Sequence, residues 1–282
     1  MSEFKNIGII GLGLIGGSLG LDLKKKKIAE KIIGYSRKKE TMEKAVQIRA
    51  IDMYCKNPEE LIEKVDFLIL ATPIRTIEEY IKLIKKVKPE IFFTDVASVK
   101  KIICEKVKKI IGEKTNFVGS HPISGSEKSG IDFIKEGLFE NKTAVITITE
   151  ETNKIAKEKT KKIWKSLGSK VFEMSPEEHD RILGFTSHLP HFLVYSLLAT
   201  AQKNKNILKD FFGSGFLDTT RIGKSNPQMW SEIFLYNKKN ILLWIKKFEK
   251  EMKKLKKLIE NNNIEDIKKY LTKSKNFRED LE

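Results

Sequence analysis

The chain predicts an α/β domain followed by an all-helical one, on three observations. An apolar run breaks into three closely spaced glycines and then a helix; short apolar runs alternate with helical patterns up to residue 174; and a strong helix start at Ser175 opens a stretch in which the patterns are helical. At 282 residues the chain has room for about two cores. The domains are expected at 1–174 and 175–282.

Residues 4–10 form the first apolar run, ending in Gly11-Leu12-Gly13-Leu14-Ile15-Gly16, after which Leu19, Leu21 and Leu23 continue into a helix. Gly11 permits a tight turn, Gly13 lets a pyrophosphate approach the backbone, and Gly16 lets helix and strand pack closely. The helix N-terminus there, at Leu14 and Ile15, offers free N–H groups to an anion. A six-residue glycine pattern alone is weak, but this one sits between a strand and a helix, with a second strand at 31–35. A Rossmann-like dinucleotide-binding domain follows from that context. At the end of the second strand, where an acid would hold the ribose 2′-hydroxyl of NAD, stands Ser36-Arg37-Lys38-Lys39. A hydroxyl and cations suit a 2′-phosphate, so the expected cofactor is NAD or NADP, with NADP favoured.

Further alternation places strands at 66–71 and 91–95 and helices at 74–86 and 99–111, the pattern of a parallel sheet with crossover helices. The strand ends carry Thr72-Pro73 and Ser98, which should face cofactor and substrate; Ser98 also reads as an N-cap for the helix from 99. The stretch Gly119-Ser120-His121-Pro122-Ile123-Ser124-Gly125-Ser126-Glu127-Lys128-Ser129-Gly130 then concentrates a histidine, four hydroxyls and three glycines. A strand at 117–120 would deliver His121 to the same sheet edge, where an imidazole titrating near neutrality can take a proton as hydride leaves. A satisfied loop histidine is the alternative. Ser98 and His121 leave neighbouring strand ends, so a hydrogen bond between them is expected to fix the imidazole tautomer. Strands at 142–149 and 170–172 and a helix at 152–167 complete the layer.

Ser175-Pro176-Glu177-Glu178 is a capping box with proline in the first turn, and the helix it starts should run to about 202. Asp180, Gly184, Ser187 and His191 are spaced four, three and four apart, giving one polar face with a glycine gap. Pro190 should kink the helix near Thr186. His188 and His191 lack a third ligand at useful spacing, so no metal site is expected. In residues 213–221 a glycine-bearing loop ends in Arg221, whose planar fork suits a carboxylate; a structural pair with Asp218 is the alternative. Ile241, Ile245, Phe248, Met252, Leu255 and Ile259 form a narrow apolar seam, read as a homodimer contact in preference to packing within the domain.

The formal charge is +16, yet only six of 54 basic residues are arginine and the lysines are spread along the chain, so no nucleic-acid partner is expected. Two cysteines exclude a disulfide framework, and no unbroken apolar stretch reaches about 18 residues. A cytoplasmic protein with no membrane partner is expected.

Taken in order, Gly11 to Leu19, Ala71-Thr72-Pro73, Ser98-Val99-Lys100, Ser120-His121-Pro122 with Gly125, Ser187-His188-Leu189-Pro190-His191, Phe216 with Asp218 to Arg221, and Pro227 to Trp230 resemble the prephenate and arogenate dehydrogenases of tyrosine biosynthesis. The resemblance implies NAD(P)-dependent oxidative decarboxylation, with His121 and Ser98 catalytic. It also implies that His191 and Arg221 hold the substrate, that Ser187 lies nearby, that Glu127 is a gating acid, and that Trp230 reaches the site from the partner of a dimer. Ser36 departs from the acid of many members, and cationic or neutral donors at His191 and Arg221 favour prephenate. Arogenate is the alternative and a β-hydroxyacid dehydrogenase, with a lysine proton shuttle, a remoter one.

Overall fold

The computed structural model describes residues 3–113, 115–126 and 128–281. β1 (Phe4–Ile10), β2 (Ala29–Tyr35), β3 (Met53–Tyr54), β4 (Phe67–Leu70) and β5 (Phe92–Asp95) form a parallel sheet in the order β3-β2-β1-β4-β5. The order reverses between β1 and β4, so the crevice at their carboxyl ends lies where such sheets take ligands. Helices cover both faces, which is why every residue of β4 is buried and apolar. Leu19, Leu23, Phe139 and Trp164 fill one face. Ile77, Ile81, Ile84, Ile103 and Val107 fill the other.

β6 (Gly119–Pro122), β7 (Thr143–Thr147) and β8 (Lys170–Met174) make a second sheet, β6 antiparallel to β7 and β7 parallel to β8. The sequence reading places these strands in the first layer. The sheets instead meet through a single bridge between Phe93 and Phe117, and β6 runs antiparallel to β7 because the chain between them carries a short 3₁₀ turn, Ile131–Phe133, and no crossover helix among the described residues. That connection is pinned to the helix Leu14–Lys25: Lys135 N–H donates to Ser18 Oγ at 2.9 Å and Gly137 N–H to Asp22 Oδ1 at 2.8 Å.

After β8 the helix Pro176–Leu183 starts as expected, Ser175 Oγ accepting from Glu178 N–H at 3.1 Å. Gly184–His188 is a π-helical turn in which Leu189 N–H bonds the Gly184 carbonyl, and the helix Leu189–Lys203 follows. Pro190, where the sequence predicts a kink, thus follows directly on a widened turn. The run Pro176–Lys203 is long and apolar enough for a membrane span by length and composition alone, which a count of unbroken apolar residues does not register. Its buried His179, Asp180 and His188 make their hydrogen bonds inside the protein.

The helices Ser214–Thr220 and Pro227–Tyr236 follow. By compactness the chain divides into Met1–Asn237 and Lys238–Glu282. Residues 175–237 group with the strands because Asp180 anchors their first helix to the backbone of Lys100 and Lys101. The second unit is the pair of helices Lys238–Glu260 and Ile264–Glu279, on which the apolar seam lies.

Candidate active site

Gly11 adopts φ +98°, and a Cβ there would lie 2.3 Å from the Ala71 carbonyl oxygen; one on Gly16 would lie 1.9 Å from the Gly11 carbonyl oxygen. Both positions therefore demand glycine for the turn itself. Gly13 differs: a Cβ there meets nothing within 4 Å, so the space in front of it is open to a ligand. It stands at the N-cap of the helix Leu14–Lys25 without a side-chain cap, which leaves the N–H groups at Leu14 and Ile15 facing that space. Gly11 and Gly13 share a cleft of about 510 Å³ with Ser36, Arg37, Lys38, Thr41, Thr72, Pro73 and Tyr80. Thr72 Oγ1 is buried there without a hydrogen-bond partner. Open glycine backbone, a helix N-terminus, a buried hydroxyl without a partner among the described residues and two cations fit a nicotinamide dinucleotide.

His121 lies on β6, opposite Val145. Its Nδ1 is 2.9 Å from His179 Nε2, and His179 Nδ1 is 2.8 Å from Asp180 Oδ1. Asp180 also accepts from Lys100 N–H at 2.8 Å and Lys101 N–H at 3.1 Å. A carboxylate with three donors around it cannot donate, so the tautomers follow in sequence. His179 carries its proton on Nδ1 and accepts at Nε2. His121 then carries its proton on Nδ1, leaving the lone pair on Nε2, which has no partner among the described residues. Burial pushes the His121 pKa well below 6.5, and the nearby His179, Lys100 and His188 push the same way. Burial also lowers that of His179, against the opposing pull of Asp180. His121 is thus held neutral, on a half-buried residue, with the lone pair of Nε2 unused.

The strand bearing it is held from below by Lys100. Its ammonium is fully buried, pairs with the buried Asp95 carboxyl and donates to the Ser120 carbonyl at 2.6 Å. Burial pushes the Asp95 pKa up and the Lys100 charge opposes it. Removing one partner of such a pair costs about 3–5 kcal/mol, because the other is left charged and dry. Ser98 does not hold the His121 Nδ1; His179 does, because the helix Pro176–Leu183 brings that ring against the end of β6. Nor does Ser98 cap the next helix, which starts at Lys101 and has its N–H groups met by Asp180. Ser98 is half-buried in the intervening bend.

Residues 19–173 match the family model described as prephenate dehydrogenase, nucleotide-binding domain, and residues 175–273 the model described as prephenate dehydrogenase, dimerization domain. The chain belongs to the prephenate dehydrogenase family. It is 33% identical over 290 residues to the prephenate dehydrogenase of Bacillus subtilis, covering 100% of this chain and 77% of that protein. The structure of the Aquifex aeolicus prephenate dehydrogenase in complex with hydroxyphenyl propionate and NAD+ superposes with a TM-score of 0.92 at 35% identity, covering 99% of this chain and 98% of that one. The Synechocystis arogenate dehydrogenase gives 0.83 at 30%, covering 98% and 100%.

Among the remaining residues singled out by resemblance to prephenate dehydrogenases, His191 donates from Nδ1 to the Ser187 carbonyl at 2.9 Å and stacks on Trp230 at 3.5 Å. Burial lowers its pKa, the Ser187 carbonyl opposes, and the Arg221 charge lowers it further, which puts Arg221 within electrostatic reach. Trp230 packs on His191 of its own chain. The widened turn also breaks the strict spacing that put Asp180 and His191 on one face. Glu127 lies outside the described residues. No group of three metal-ligating side chains occurs among the described residues, and burial pushes the Cys104 thiol up to about 12, which makes it inert. Sequence reasoning missed His179; the only signal was a His–Asp pair one turn into a capped helix.

Proposed function

We propose that the chain catalyses the oxidative decarboxylation of prephenate to 4-hydroxyphenylpyruvate, with His121 as the base. The observation that carries this is the His121–His179–Asp180 chain, which holds both rings neutral and leaves one lone pair, on His121 Nε2, without a partner among the described residues. A nicotinamide dinucleotide, when bound, supplies the hydride acceptor. His121 Nε2 takes the ring hydroxyl's proton as the geminal hydrogen departs, and it returns a proton to the phenolate oxygen once the ring carboxylate has left as carbon dioxide. His121 can also pass its Nδ1 proton to His179, whose imidazolium then sits 2.8 Å from Asp180 Oδ1. The relay spreads a transient positive charge toward a carboxylate, so the site needs no metal to do this. Such base catalysis contributes about 10²- to 10⁴-fold.

Gly11, Gly13, Leu14, Ile15 and Gly16 hold the pyrophosphate. Ser36 and Arg37, in a cleft without an acid at the ribose end, favour NADP over NAD. Arg221 binds a substrate carboxylate, His191 on its Trp230 platform lies against the side chain with Ser187 beside it, and Ser98 contacts the reacting hydroxyl. The helical half closes a homodimer, and the enzyme works in the cytoplasm on a small molecule. Absorbance at the nicotinamide band, with prephenate or arogenate and with NAD or NADP, gives four rates that test substrate and cofactor together. A fastest rate with prephenate and NADP supports the reading; no rate in any of the four sinks it.

A further inference from the structure

Asn237 is buried, 3% exposed, at the end of the helix Pro227–Tyr236. Its Nδ2 lies 2.7 Å from the Asp180 carbonyl oxygen and 2.9 Å from His188 Nδ1. A main-chain oxygen can only accept, so the amide nitrogen must face it, and this fixes the amide's orientation. The second hydrogen then points at His188 Nδ1, which must accept, and the proton of that ring is placed on Nε2. Protonating His188 would set N–H against N–H. Burial pushes its pKa down to about 3; His179 and His191 push the same way and Asp180 opposes.

The two groups on this amide belong to different parts of the site. Asp180 aligns His179, and through it His121. The His188 ring meets Trp230 edge-on, with centroids 5.9 Å apart, and Trp230 carries His191. We propose that Asn237 is a positioning residue, whose single amide holds the proton relay of His121 in register with the Trp230–His191 stack. The proposal rests on the reading of His121 as the base, and it deepens that reading.

The test pairs kinetics with nitrogen-15 spectra of the four histidine rings, assigned by removing one ring at a time. In the unsubstituted protein His188 is expected neutral, with its proton on Nε2, across neutral pH. Asn237→Asp keeps the shape but cannot donate to the Asp180 carbonyl, and it turns His188 Nδ1 into a donor, so His188 is expected to carry a proton on Nδ1 at pH 7. The kcat should fall about 10- to 100-fold and KM for the cyclohexadienyl substrate should rise with it, since both base and substrate platform shift. A residue with a merely structural part would lower the melting temperature and leave kcat and KM, measured below the melt, within twofold of the parent; that result overturns the proposal. So does a His188 proton on Nδ1 in the unsubstituted protein, a measurement that stands even if the variant does not fold. If the parent turns over neither prephenate nor arogenate, the functional reading fails on its own and the ring-nitrogen spectra still decide the role of Asn237.

Discussion

At the glycine turn the backbone is itself the binding surface: residues 11–16 are contiguous, and two of their three glycines have no room for a Cβ. Around His121 the working groups come from β6, the helix Pro176–Leu183 and the backbone at Lys100 and Lys101, at positions up to 80 residues apart in the chain. A contiguous turn is encoded locally and tolerates change around it. A relay assembled from distant elements depends on each of them being in place, and its protonation states are set by partners, not by residue type.

The sharpest break in this contrast is His121→Asn, which removes the lone pair and should lower kcat by about 10²- to 10⁴-fold, with dinucleotide affinity by fluorescence titration unchanged. Next, Asp180→Asn keeps size but offers one acceptor oxygen to three donors. We expect kcat to fall about 10- to 10²-fold with a loss of stability of about 1–3 kcal/mol by denaturant melt. An unchanged kcat would detach the relay from the chemistry. On the other side of the comparison, Gly13→Ala puts a methyl group into open space. The protein should melt as the parent does while its dinucleotide KM rises about tenfold, separating binding from folding in a way no residue of the relay allows.

How far the sequence could be read follows the same division. The glycine turn, the strands of the first sheet and the capped start at Ser175 were legible because each depends on neighbours within a few residues. β6 and β7 could be found as strands, but their antiparallel pairing could not, since it turns on the absence of a crossover helix between them. His121 stands out in its motif as the candidate base. Its orienting partner was assigned to Ser98 because both leave strand ends, whereas the true contact arises from a helix that docks from 58 residues further on. Asn237 and the buried pair of Lys100 with Asp95 carry no local signal of their part in the site.

Two smaller effects sharpen the comparison. Ser36→Asp places a carboxylate where a 2′-phosphate would sit and should move the ratio of kcat/KM for NADP over NAD about tenfold toward NAD. Acid stability probes the histidine side. His188 has its pKa lowered to about 3 from the 6.5 expected unfolded, and those of His121 and His179 are also lowered. The unfolded chain therefore binds more protons between these values. The stability that burial of neutral rings permits is complete above about pH 6.5 and is lost as pH falls toward 3. Melts across that window should show the loss in the parent and a smaller slope in His188→Asn. An equal slope would mean that the ring is not buried neutral.

The wide turn at Gly184–His188 also sets where this helix can change length. One residue removed there would close the turn to a regular α-helix and leave everything beyond it at nearly the same angle about the axis, because the wide turn is where one extra residue is taken up. A one-residue change of length is therefore expected to be absorbed at 184–188 with His191 still on the face of Trp230, whereas the same change in the α-helix on either side would turn the following residues by about 100°.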